Sequence, residues 1–405
     1  MVLSACVPVT LTPGVSHPTD ATGTPNQQVT ITIWYQWPKD TLNIIQAALN
    51  QYMLDHPSLS IRLVQPENIQ DALRVAIPAG KGPDIIDWTN DQIGAQATAG
   101  NIISLDALGI TQEFLESTYE PAAVKGVIWQ GKIWALPESQ SGVAIVYNKA
   151  LVNENDFPAD PNDFSDLLTK AKAYNDANQG KFLICNPGLG NPEAYYEAPI
   201  YFGFGMPEFV DEAGKVYLNT PEGIAAGNWI KEFKPYAPNS TSEEICTRMF
   251  TEGAVAAEWV GPWALAELKD SGIDFGILPM GKPFVGIRTL MIGKNAVDHS
   301  TTEIAADIIK YLTSQASEIQ LATGSQLIPA NTAALNDLQV QALATIKGFG
   351  TALRSGVPMA NTPYASSQWG PVGDATQSIW IGKQNAEEAM RVAQAAIEEA
   401  IAGMK

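Results

Sequence analysis

Between residues 29 and 88 the chain switches hydrophobic period four times. "VTITIW" (29–34) alternates β-branched residues with a period of two, the spacing of a strand. Leu42, Ile45, Ala48, Leu49, Tyr52 and Met53 then recur at helical spacing until Pro57, which predicts a helix that ends there. Residues 60–64 read as a second strand, 69–77 as a second helix closed by Pro78 and Gly80, and 84–88 as a third strand. A third helix is predicted to start near Asn90. Strands separated by helix-length crossovers run parallel, because a parallel pair cannot be joined by a tight turn. The pattern therefore demands a parallel sheet with helices on both faces. Such sheets bind ligands beyond the carboxyl ends of their strands. Here those ends are unusual. Trp34, Tyr35, Gln36 and Trp37 sit at the end of the first strand, and Trp88 ends the third, with Thr89, Asn90, Asp91 and Gln92 next. Two strand ends in one sheet thus offer aromatic rings beside short polar groups, a rim suited to a ligand with both apolar and hydroxyl surface.

The chain is too long for one core at 405 residues, so two lobes are expected. A formal net charge of −19 argues against nucleic acid or an anionic membrane surface as partner, since both require a basic face. His17, His56 and His299 are far apart, and no CxxC or HExxH spacing occurs, so no metal site and no cofactor are expected. No apolar run is long enough to cross a bilayer. Leu3-Ser4-Ala5-Cys6 reads as a lipobox, with Cys6 as the lipidated residue. It is followed by "VPVTLTPGVSHPTDATGTPNQQ" (7–28), which holds four Pro, five Thr and one carboxylate and has neither period, as in a disordered tether. Lipidation would place the protein outside the cytoplasmic membrane, anchored or periplasmic. Cys185 and Cys246 remain; a disulfide and two buried free thiols are both compatible with export.

Further along, residues 132–136 and 142–148 read as strands on either side of Pro137. Strands are also expected at 181–185, 254–260, 274–279 and 284–293, and helices at 164–177, 221–233, 243–250, 302–313, 316–322, 368–382 and 386–402. Residues 186–205, "NPGLGNPEAYYEAPIYFGFG", are dense in Gly, Pro and aromatics and carry no clear period.

Five blocks, "AGKGPDIIDWTNDQIGAQATAGNI" (79–102), "QGKIWALPESQSGVAIVYNKAL" (130–151), "MFTEGAVAAEWVGPWA" (249–264), "KPFVG" (282–286) and "MANTPYASSQWG" (359–370), follow one another in the order seen in a known family. On these blocks the chain resembles the extracellular solute-binding proteins of the maltose-binding type, the capture subunits of ABC sugar importers. The resemblance implies a two-lobe periplasmic-binding-protein-like α/β fold, each lobe a mixed, mostly parallel sheet flanked by helices, with a ligand cleft between. It implies lobe 1 from 29–138 plus 286–330 and lobe 2 from 139–285 plus 331–405, after the lipobox and tether read at 1–28. Hinges would fall at 137–140 and 283–286. The function it implies is binding of a neutral oligosaccharide, such as a malto-oligosaccharide, and delivery to a permease by a monomeric lipoprotein.

By the same resemblance Trp88 stacks on a sugar ring and Asp91 accepts its hydroxyls. Gln36 and Trp37 take polar and turn positions after the first strand. Glu193 and Tyr195 match a Glu-Pro-Tyr contact segment with Ala194 in place of Pro, and Trp263 and Trp369 match the stacking tryptophans of the second lobe. Gln92 stands where maltodextrin binders carry Arg, and Ser141 near where they carry Glu. Gly370 and Gly373 replace Tyr and Arg. The stacking platform is kept and the charged clamp thinned. The chemistry is coherent: indole covers the C–H face of a pyranose, and a carboxylate takes its hydroxyl protons through charge-assisted bonds. Trp34, Trp129, Trp134, Trp229, Trp259 and Trp380 lie inside strand or helix patterns and are assigned to packing, as are Asp87 and Glu138. Tyr195 and Tyr196 are adjacent, so at most one is expected to face the cleft. The competing reading is an exported glycoside hydrolase with aromatic subsites, which needs two carboxyls flanking one bond; Asp91 and Glu193 are available, with no spacing that selects them.

Overall fold

A computed structural model describes residues 28–404. The lipobox, Cys6 and the tether up to residue 27 lie outside the described residues. Strand β1 (Val29–Trp34) pairs in parallel with β2 (Leu59–Val64) on one side and β3 (Ile85–Thr89) on the other. With β1 in the middle, the two crossovers run in opposite directions. The helices Lys39–Asp55 and Ile69–Ala76 therefore cover opposite faces of the sheet, given right-handed connections. The order of elements follows the alternation of hydrophobic periods.

Beyond β3 the chain makes a small hairpin, β4 (Ile128–Trp129) and β5 (Lys132–Ile133). Its turn residues Gln130 and Gly131 both have positive φ, 51° and 67°, as a tight primed turn requires. Then comes β6 (Ala135–Ser141), followed almost at once by β7 (Ala144–Asn148). These two strands belong to different sheets. β6 joins the first sheet, while β7 pairs with β9 (Val255–Val260) of a second sheet, ordered β10-β7-β9-β8, with β8 at Phe182–Cys185 and β10 at Phe275–Leu278. The chain returns along β11 (Phe284–Ile292), which lies antiparallel between β3 and β6. β12 (Ile328–Pro329) closes the first sheet beside β6, and β13 (Val357–Pro358) pairs with the start of β11. The result is two α/β lobes with distinct sheets.

Pro137 does not end a strand: β6 runs through it to Ser141, so the segment 137–140 is strand. Proline is tolerated because the ladder slips there: Ser139 pairs with Arg288 and Pro137 with Thr289, leaving Glu138 as the extra residue of a bulge. The crossing between sheets falls instead at Gly142 and Val143. A Cβ on Gly142 would come within 2.4 Å of the Phe284 carbonyl oxygen, so only glycine lets the strands pass so closely.

Residues 186–205 contain a helix that their sequence hides, Ala194–Gly203. It is buried on nearly every side, so no polar face marks its period, and Pro199 lies within it. Cys185 and Cys246 form a disulfide, with Cα atoms 5.5 Å apart, which resolves the choice left open by the sequence. It ties the end of β8 to the helix Glu243–Thr251 and closes a loop spanning 61 positions. Cys246→Ala is expected to lower unfolding free energy by about 2–4 kcal/mol through release of that loop in the unfolded chain. Urea melts of the oxidised wild type and the variant measure it; equal midpoints and slopes would contradict it.

Candidate functional site

The first lobe builds its rim on a buried polar network. Asp87, between Ile86 and Trp88 on β3, is fully enclosed. Its Oδ2 accepts the backbone N–H of Gln36 at 2.7 Å and an N–H of Arg288 at 2.9 Å, and Arg288 Nε stands 2.8 Å from Oδ1. One carboxylate thus fastens the turn after β1, the end of β3 and the returning strand β11 to each other. The bulge aims Glu138 at the same place, where both its oxygens accept from the Trp37 indole N–H at 3.1 and 3.2 Å. Burial, then the nearby charge of Asp87, push Glu138 up to about 8. Asp87 and Glu138 are structural, as their sequence context suggested. Trp37 joins them. With 1 % of its surface exposed it presents no face to a ligand, and its expected place on the rim is not where the structure puts it. The sequence signal was real but pointed to the support beneath the rim. Gln36 remains half-exposed above it.

The end of β3 carries Trp88 and the turn after it Asp91 and Gln92, all half-buried. Asn90, fully enclosed, anchors it by donating to Met359 O at 2.8 Å and accepting from Ile287 N at 3.0 Å. Asp91 accepts from Thr89 Oγ1 at 2.6 Å and from Gln92 Nε2 at 3.2 Å. The Trp369 side chain, from the second lobe, acts on the same carboxylate in the direction that lowers its pKa. Burial nevertheless raises Asp91 above the usual carboxylate range. The short polar residues around Trp88 thus have two tasks, fixing the loop and orienting one acid.

The second lobe contributes a chain of rings. Trp369 meets Phe284 edge to face with centroids 5.5 Å apart, Phe284 stacks with Tyr195 at 6.0 Å, and Tyr195 lies 6.1 Å from Trp263. Phe284 is buried beneath its neighbours, Tyr195 and Trp369 are half-buried, and Trp263 is 45 % exposed. Tyr195 donates to Ser141 O at 3.3 Å, at the crossing between sheets. Glu193 sits exposed before the first turn of the Ala194–Gly203 helix. Alternation along β11 shows which side of the crossing this is. A Cβ on Gly286 would lie 3.3 Å from the Tyr195 hydroxyl, whereas Ile287 turns to the other face and meets Gly126 of the helix Pro121–Val127. The rings, Ser141 and Asp91 thus share one side of the crossing strands.

Of the residues singled out from sequence, Ser141, Tyr195, Trp263 and Trp369 are linked through contacts that include Phe284, and Asp91, bonded to Gln92, feels the Trp369 side chain. Trp88 and Gln36 sit on neighbouring strand ends of the first lobe. Sequence reading missed Phe284, although the block containing it was noted, and Glu243, and it gave Tyr196 no role beyond the choice between it and Tyr195. Phe284 could have been found as the aromatic that starts a crossing strand. Nothing in the sequence joins Tyr196 to Glu243.

The family described as bacterial extracellular solute-binding protein matches residues 47–348. A maltotriose-binding protein of Pyrococcus abyssi is 30% identical over 370 residues, 88% of this chain and 79% of that protein. A galactooligosaccharide-binding protein of Bacillus subtilis is 22% identical, over 87% and 85%. Among solved structures, a cyclo/maltodextrin-binding protein complexed with maltotetraose superposes with a TM-score of 0.81 at 24% identity, covering 95% of this chain and 99% of that one. The Thermus thermophilus maltotriose-binding protein bound with maltotriose gives 0.73 at 22%, covering 92% and 100%.

Proposed function

We propose that this chain, which belongs to the bacterial extracellular solute-binding protein family, captures a neutral malto-oligosaccharide between its lobes and hands it to an ABC permease. The observation that carries the reading is the ring series Trp263, Tyr195, Phe284 and Trp369, whose last member acts on the Asp91 carboxylate of the other lobe. Trp263, Tyr195 and Trp369, with Phe284 buried behind them as their support, suit consecutive pyranose units, whose C–H faces such rings cover. A single oriented carboxylate suits the hydroxyls of one unit. No Arg or Lys belongs to the series, which suits an uncharged ligand. Relatives that bind maltotriose and galactooligosaccharide support the class. Gln36, Trp88, Gln92, Ser141 and Glu193 complete the contact set. A sugar touching both lobes favours their closed arrangement by its greater affinity for it, and the permease would read that arrangement. A monomer, lipid-anchored through Cys6 at the outer face of the cell membrane, would serve this task. Membership of a substrate-binding family supports capture rather than hydrolysis.

Calorimetry with maltotriose, maltotetraose, trehalose and xylotriose, with product analysis of each mixture, tests the reading. Binding without turnover and a ligand-dependent rise in Tm are expected; release of reducing ends would overturn it in favour of a hydrolase. Trp88→Ala, Trp263→Ala and Trp369→Ala should each weaken binding by about 1–3 kcal/mol, the scale of buried aromatic anchors. Unchanged affinity in all three would remove the site from this cleft.

A further inference from the structure

Trp263 poses a mechanical question. It is 45 % exposed, and an exposed indole on a short turn would ordinarily swing between rotamers, at an entropic cost to any ligand that must immobilise it. Three features hold it. The six-membered ring of the indole folds back over Gly261, where a Cβ would fall 2.1 Å from its nearest ring carbon. Tyr195 and Tyr196 flank it, the latter edge-on with centroids 6.2 Å apart at 83°. And its Nε1–H donates to the Tyr196 hydroxyl oxygen at 3.3 Å.

The third feature depends on a more distant group. A phenol has one proton and can donate it in only one direction. Here the Tyr196 O–H donates to Oε2 of Glu243. With its proton drawn to the carboxylate, the phenol oxygen faces the indole as an acceptor, which is what a donor-only N–H needs. Glu243 opens the helix Glu243–Thr251, and Cys246, one turn further on, is bonded to Cys185 at the end of β8. The acceptor at the far end of the series is therefore fixed covalently to the second sheet.

We infer that Glu243 and Tyr196 are positioning residues that lock the Trp263 indole face-out as the outer sugar platform of the cleft. This rests on the binding reading above. With its N–H committed inward, the exposed part of the ring is hydrocarbon and leaves no donor for the ligand to satisfy. The occupant it fits is the C–H face of a terminal pyranose.

The test uses the full chain with maltotriose, in wild type, Tyr196→Phe, Glu243→Gln, Trp263→Ala and the Tyr196→Phe/Trp263→Ala double variant. Tyr196→Phe keeps the ring and removes the hydroxyl; it should weaken binding roughly 3–10-fold, the worth of one hydrogen bond. Glu243→Gln should have a smaller effect in the same direction. In the Trp263→Ala background the Tyr196 change should cost less than about twofold, since the residues act as a unit. Equal losses in both backgrounds, or none in wild type while Trp263→Ala weakens binding, would overturn the proposal. A readout free of ligand separates it from the sugar reading. The Trp263 Nε1–H resonance, identified by its absence in Trp263→Ala, should shift and lose exchange protection in Tyr196→Phe. Failure of wild type to bind any of the sugars while this resonance responds would sink the sugar reading and leave the lock standing. An unchanged resonance would sink the lock.

Discussion

Asp91→Ala is expected to weaken oligosaccharide binding by about 3–4 kcal/mol, several hundred-fold, with little change in Tm. The carboxylate has about four lone-pair directions. Thr89 and Gln92 occupy two, so the acid is held in one orientation before any sugar arrives and two directions stay open to it. Two hydroxyl protons accepted there are worth ~1.5–3 kcal/mol each as charge-assisted bonds, net of water. Asp91→Asn retains the shape with a neutral acceptor and should lose less. The effect carries a pH signature. Burial raises the Asp91 pKa, and the ionised form is the better acceptor. Affinity should therefore hold at neutral pH and fall as pH drops through that raised value, a decline missing from Asp91→Asn. Calorimetric titrations with maltotriose from pH 4 to 8 read both effects. An Asp91→Ala variant that binds within twofold of wild type would remove the acid from the site.

Asp91 also shows what kind of information its sequence held. β1, β2 and β3 and their helices are local objects; each announces itself through its own hydrophobic period, and their order then dictates parallel pairing and the position of the strand ends. Trp88 and Asp91 could be assigned a place on that logic alone. Their partners from the other lobe could not. Trp369 and Phe284 lie far along the chain, and their proximity to Asp91 depends on where the strands cross between sheets, which no local period encodes. β6 is a further case. Pro137 looks like a terminator, and only the partner strand β11, with its slipped register, shows why it is not. Trp37 failed differently: its strand-end position was read correctly, but its burial depends on Glu138, 101 positions away. The helix Ala194–Gly203 was hidden because complete burial erases amphipathic patterning.

Arg288→Met is expected to destabilise the protein by about 3–5 kcal/mol. The arginine is the one cation in the network under the first-lobe rim, its side chain 20% exposed, against an Asp87 that is wholly buried. Without it Asp87 keeps only the Gln36 N–H as partner, and a buried charge left unpaired costs that much. The network also gives stability a pH dependence of defined sign. The groups that face Glu138 are Asp87 on β3, Arg288 on β11, the Trp37 N–H, and Glu318 of the helix Gln315–Ser325. Glu138 is pushed up from 4.5 to about 8 in the folded state. Between those values the folded protein holds a proton that the unfolded chain has released, so the contribution is complete below pH 4.5 and is lost as pH rises through about 8. Glu258, Glu197 and Glu318 are raised in the same sense, so the wild-type slope alone does not isolate Glu138. The difference between wild type and Glu138→Gln does: urea unfolding across pH 5–9 should show the two curves diverging at low pH and running parallel above about 8. Curves parallel throughout would mean that Glu138 is ionised in the fold, and that Arg288 balances two buried charges rather than one.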